Sequence, residues 1–191
     1  GMNDVTASVD VNGSTGSLIG GKGAMILKGE GVAGSLEGKL EAKVEKSNFE
    51  AKGTLVLRFN NTGESVKQTL LVGGESVLVE SRGIENEFSV SLLGGSVKIG
   101  DVVTIEGNVT FTSQGDYNVF AGENMTLFVG DGDLNENGKR NPDARGLMIS
   151  AATIGLVKKD EGDAAEYALS AEGQVSVVGI NGLSLSGPIS I

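Results

Sequence analysis

The chain contains no cysteine, no histidine and no tryptophan. Without cysteine there is neither a disulfide framework nor a thiolate metal site. Without histidine the usual general base and the commonest zinc ligand are both missing. Serine is plentiful, but with no imidazole and no GxSxG-type elbow a serine nucleophile lacks an activating base. Apolar runs are short too: none approaches the roughly 20 residues that a membrane-spanning helix needs. The N-terminus shows no basic segment leading into a hydrophobic one, so neither a signal peptide nor an anchor is read there. Stripes of lysine and arginine are lacking, and the net charge is −10. Nucleic acid and membrane insertion are therefore not expected, and cations are the more natural ligands.

What is present points to β structure. Thirty-one glycines stand beside only six phenylalanines and two tyrosines, while 39% of the residues are hydrophobic. That composition can bury a core, and it suits many short strands joined by tight turns, because glycine alone enters positive φ freely. From Leu36 to Val44 apolar residues alternate with Glu37, Lys39, Glu41, Lys43 and their like. After Lys46, Ser47 and Asn48 the alternation resumes with Phe49, Ala51, Leu55, Leu57 and Phe59. A period of two sustained this long predicts strands.

The pair recurs. Aligning Gly53, Gly107 and Gly187 places apolar residues two and four positions to either side of each glycine, a repeat whose glycine occupies an inward position suited to a bulge or a close backbone approach. The hairpin units fall at about 33–60, 88–113 and 167–191 by this alignment. Residues 1–22 read as an N-terminal strand or loose segment whose Gly1-Met2 start looks like a cloning remnant, and residues 23–191 as a single repetitive β domain. The whole reads as a piece of something longer. Between the copies, residues 68–80 form a further hairpin around Gly73-Gly74, and residues 160–171 are allowed one short helical turn. The expected fold is all-β: repeated antiparallel hairpins forming a β-solenoid or an elongated curved sheet, with a β-sandwich as the alternative.

One segment concentrates polar chemistry. The acidic loop 130–146, GDGDLNENGKRNPDARG, lies within the longer of the two intervals between repeats, as functional insertions often do. Asp133, Asn135 and Asn137 are spaced as alternating oxygen ligands, Gly138 supplies the sharp turn, and the Lys139 carbonyl follows. Asp131 and Asp143 flank them as further candidates. The simpler alternative is a solvated turn, since Asp, Asn and Gly favour turns by local hydrogen bonding. Other carboxylates, including Glu30, Glu37 and Glu41 or Asp160, Glu161 and Asp163, are more simply explained as solvated strand residues than as a glycosidase pair. The chain is therefore not expected to be an enzyme.

Two resemblances follow from these residues. The Asp133-x-Asn135-x-Asn137-Gly138 run resembles the EF-hand and dockerin type of loop, which implies calcium as the possible cofactor; the family's acidic twelfth residue is Ala144 here, with Asp143 one place earlier. Residues 50 to 191, through segments such as VTIEGNVTF and YALSAEGQVSVVGINGLSLSG, resemble the glycine-spaced repeats of very large secreted or surface proteins of environmental bacteria. That resemblance implies a cell-surface, adhesin-like structural module whose partners are neighbouring repeats of the same polypeptide, and also glycans or surface proteins. The alternative expectation is a carrier of lipid or glycan using the concave face of a curved sheet.

Overall fold

The computed structural model describes residues 1–81, 86–136, 139–161 and 164–191. Among the described residues fourteen strands run in chain order: β1 (Met2–Val11), β2 (Ser14–Lys28), β3 (Gly31–Val44), β4 (Phe49–Asn60), β5 (Val66–Val72), β6 (Glu75–Ser81), β7 (Glu87–Ile99), β8 (Val103–Gln114), β9 (Tyr117–Asp131), β10 (Asn135–Glu136), β11 (Lys139–Arg140), β12 (Arg145–Glu161), β13 (Ala164–Val178) and β14 (Ser186–Ser190). Ten of them form one antiparallel sheet in the order β1-β2-β3-β4-β7-β8-β9-β12-β13-β14. The pairs β5-β6 and β10-β11 are small separate ladders set into its connections. The sheet is thus a meander that does not close into a barrel. The strands β3 and β4, β7 and β8, and β13 and β14 pair antiparallel within the three stretches aligned on Gly53, Gly107 and Gly187.

Among the described residues of 160–171 the expected helical turn is not formed: β12 runs through Glu161 and β13 starts at Ala164, paired residue for residue, while residues 162 and 163 lie outside the described ones. The alternation that begins at Tyr167 outweighs the helix-favouring composition before it, because a long neighbouring strand offers a complete ladder of backbone partners. The one helical element among the described residues is a 3-10 turn at Glu45–Ser47 between β3 and β4. Turn chemistry sets the other ends. Asn12-Gly13 and Gly73-Gly74 both take positive φ at the two central positions of two-residue hairpins, the geometry that matches strand twist.

A line of β-bulges crosses the middle of the sheet. Gly20 in β2, Gly94 in β7, Asn124 in β9 and Ala151 in β12 have left-handed φ values of 61°, 55°, 51° and 49°, and each lies within a register shift. The residue following each one is met on the adjacent unbulged strand by a glycine. A Cβ on Gly38 would lie 3.1 Å from the Gly21 Cα, one on Gly53 2.9 Å from the Gly95 Cα, and one on Gly107 2.8 Å from the Met125 Cα; on Gly173 it would lie 3.4 Å from the Ala152 Cα. Bulges bend a strand and increase its twist. The bend is therefore shared from β2 to β13, because each inserted residue is accommodated by a missing side chain next door. Gly187, the third of the aligned glycines, has open space around it and lies outside this row.

Register and pleat divide the sheet into two unlike faces. On one face stand Leu40, Leu57, Leu92, Ile105, Leu127, Ile149 and Val175 with their cross-strand partners. Among the described side chains of β2 to β14, charge enters this face only at its rims, with Asp131 and Arg145 at one end and Lys158 at the other. The opposite face carries Lys22, Glu37, Glu41, Lys43, Glu50, Lys52, Arg58, Lys98 and Glu106.

Among the described residues the buried apolar side chains belong to the polar face or to the segments folded onto it. In one cluster the β5-β6 hairpin sets Val66, Val77 and Val79 against Ala24 and Ala33. In the other, the 131–145 loop lays Leu134 and Ala144 on Phe128. Among the described residues the apolar face has no comparable cover: along its middle Leu57, Ile105 and Leu127 are half-buried by their neighbours, and toward its rims Leu27 is 83% exposed, Met25 59% and Leu169 50%.

Candidate functional site

On the polar face the bulge row separates two regions. Beyond it, toward the β2-β3 turn, lies the β5-β6 hairpin. On the near side lies a groove of about 610 Å³, crossed by β1, β2, β3, β4, β7 and β8 and walled at one end by Asp133, Leu134 and Asn135. The strand alternation that sends Leu40, Ala51 and Ile105 to the apolar face sends Glu41, Lys52, Thr104 and Glu106 into this groove.

The acidic loop is positioned from beneath and from the side. Leu134, 1% exposed, anchors it in the small cluster on Phe128. The Lys98 ammonium donates to the Asp133 carboxylate at 2.5 Å, and the Asn135 amide donates to a Glu106 carboxylate oxygen at 2.8 Å. The Asn141 side chain accepts from the Asp143 backbone N–H at 2.9 Å, closing a local turn. Lys98 is held above the ordinary lysine range, chiefly by its hydrogen bond to Asp133. Partial burial opposes the shift, while the negative charges of Asp133, Asp101 and Glu50 add to it.

The expected calcium ligands are thus distributed as follows. Asp133 and Asn135 reach back to the sheet, engaged with Lys98 and Glu106. Asp131 closes β9 opposite Arg145 at the rim, exposed. Asp143 is exposed in the turn before β12. Lys139 pairs with Glu136 in the two-residue ladder. Asn137 and Gly138 lie outside the described residues. The donor chemistry, carboxylate and amide oxygen with main-chain carbonyl, suits a hard cation. Among the described residues no group of three carboxylates is gathered to hold a metal. In this conformation the cation beside Asp133 is Lys98.

The groove collects Asp10, Glu41, Glu50, Glu106 and Asp133 against Lys43, Lys52 and Lys98. Lys43 pairs with Glu50 across strands at 3.5 Å. Among the described residues that line it the groove has no aromatic ring, so a ligand there is held by hydrogen bonds and charge rather than by ring stacking. The remaining carboxylates weighed from the sequence are scattered: Glu37 pairs with Lys22 at 3.1 Å on the far side of the bulge row, Glu30 lies in the β2-β3 turn, and Asp163 lies outside the described residues.

Sequence reading missed Lys98 and Glu106 as partners of the loop. Nothing in the local spacing marks them, because 35 and 29 residues separate them from Asp133 and Asn135. It also missed Gly38 and Gly173 in the bulge row. The paired glycines at 20–21 and 94–95 were the available signal, since a glycine pair inside an alternating strand is a bulge signature. Compared with known proteins, the chain matches no family model, no curated protein and no solved structure.

Proposed function

We propose that this chain is a structural module of a large exported, surface-located protein, a building unit rather than a catalyst. The observation that carries this reading is the one-sided sheet. A ten-stranded layer with its charge on one face and almost none on the other is half of a packed structure. Its apolar face requires a covering layer, and repeats of the same polypeptide supply one of matching chemistry. The exported context rests on the resemblance of the glycine-spaced strands to surface-protein repeats. Calcium in the 131–143 loop is part of the proposal: it takes the place of the Lys98 ammonium beside Asp133 and stiffens the groove wall. Antibody raised against the polar face and applied to intact source cells tests the reading, with labelling before lysis as the expected result. Labelling that needs lysis contradicts it.

The second reading, a carrier, is favoured by the groove itself. Its lining is charged and hydroxylated, so the cargo it suits is a polar glycan rather than a lipid chain. Titration with acidic and neutral oligosaccharides, read by the amide signals of Thr104 and Lys52, decides between them.

A further inference from the structure

The apolar face is the largest feature that neither the groove nor the loop explains. We infer that it is closed by a second copy of this chain, sheet face against sheet face, in a two-layer sandwich. This inference rests on the structural-module reading and names the partner.

Two observations favour an identical partner, and a third disfavours a lipid layer in its place. The first is area. Ten strands at a spacing of ~4.8 Å span ~43 Å, and a rise of ~3.4 Å per residue over most of the 12 residues of β4 gives ~34 Å, so one face has a footprint of ~1,500 Å². Two such faces bury ~3,000 Å² together, within the ~2,000–5,000 Å² of obligate homodimers and above the standard ~1,600 Å².

The second is charge. A chain of net charge −10 repels its own copy through most of its surface. Face-to-face pairing of the apolar sides keeps the charged rows of Glu41, Glu50 and Glu106 on the two outer surfaces, as far apart as the assembly permits. An isologous contact needs a patch complementary to itself, and an uncharged apolar plane meets that condition. Aligned sheets pack in this way about 10 Å apart, at roughly −30°.

The third is the edges. Strands β1 and β14 each pair on one side only within the sheet. A hydrocarbon layer would leave those backbone groups unpartnered, at several kcal/mol each. A protein layer that covers the face and leaves the edges in water does not.

Sedimentation velocity on the whole chain at micromolar concentration tests the inference. The expected mass is twice the 19.5 kDa of one chain. Ile105→Lys, on the apolar face of the central strand β8, should return it to one chain, while Thr104→Lys, on the opposite face of the same strand, should leave it doubled. The unsubstituted chain supplies a second readout if Ile105→Lys does not fold. Met25 stands 59% exposed on the apolar face, so its oxidation by peroxide should be several-fold slower at high protein concentration than after dilution to single chains.

A single-chain mass at every concentration overturns the inference, as does a folded Ile105→Lys protein that stays doubled. Single chains that instead bind vesicles of neutral phosphatidylcholine also overturn it, in favour of a lipid surface. Single chains on a labelled cell surface would sink the inference and leave the module reading standing. Paired chains found only inside cells would do the reverse.

Discussion

Gly107 and Met125 meet backbone to backbone: a Cβ on Gly107 would lie 2.8 Å from the Met125 Cα and 2.9 Å from the Asn124 carbonyl oxygen. Gly107 also sits at φ 137°, a conformation that side-chain-bearing residues rarely adopt. Gly107→Val is therefore expected to destabilise the fold by about 2 to 3 kcal/mol, from overpacking and backbone strain together. Gly187→Ala, with open space around it and no left-handed φ, should stay within about 0.5 kcal/mol of the parent. Urea midpoints for both variants check the pair; equal shifts would mean that the bulge row does not set the tolerance.

Ala151 occupies the corresponding bulge in β12 with φ 49°. Left-handed backbone disfavours alanine by roughly 1 kcal/mol or more relative to glycine. Ala151→Gly should accordingly raise stability, by about 0.5 to 1 kcal/mol once the larger unfolded-state entropy of glycine is offset. A lowered melting temperature would contradict this account of the bulge.

Asn60 ties the β5-β6 hairpin to the sheet. Buried to 1% exposure, its amide donates to the Glu64 carbonyl at 2.8 Å and to the Ser81 hydroxyl at 3.0 Å, while its Oδ1 accepts from the Thr62 N–H at 3.0 Å and the Thr62 hydroxyl at 2.8 Å. Asn60→Ala should cost about 2 to 3 kcal/mol, because it leaves buried partners unsatisfied. Amide exchange in Val66–Val72 should accelerate before that of Val103–Gln114 does. Uniform acceleration would show that the hairpin and sheet unfold as one unit.

The register of the main sheet was legible in the sequence where one face is charged and the other apolar, as in β3 and β4, since a one-residue slip would exchange the faces. The third aligned glycine misled, because Gly187 satisfies the spacing while lying on β14, an edge strand that among the described residues pairs only with β13. The loop was legible as an oxygen-rich turn. Its engagement with Lys98 and Glu106 was not, because cross-strand neighbours are set by the meander and not by local spacing. Equally hidden was the burial of Leu134 and Ala144 within a segment otherwise rich in polar residues.

Lys98 and an added cation compete for Asp133 in this account. With EDTA present, the contribution of Lys98 is complete below the ordinary lysine value and is lost as the pH rises through the raised one. As a partly exposed pair it is worth within about 1 kcal/mol. At a hundredfold excess over its dissociation constant calcium should add about 2.7 kcal/mol. Lys98→Ala should enlarge that calcium response and Asp133→Ala should remove most of it. Melting curves in EDTA and in calcium check this; an identical melting temperature in both would mean that the loop is an acidic turn held by Lys98 alone.

The central claim is that the sheet has one face in water and one face covered in the working molecule. Because the chain has no cysteine of its own, a single one placed along β8 reports each face directly. Thiol labelling of the assembled protein should be fast at Thr104→Cys and Glu106→Cys, which open onto the groove. It should be slow at Ile105→Cys and Val109→Cys, which point the other way. Labelling at Ile105→Cys as fast as at Thr104→Cys, at protein concentrations where the chains are associated, would contradict the account.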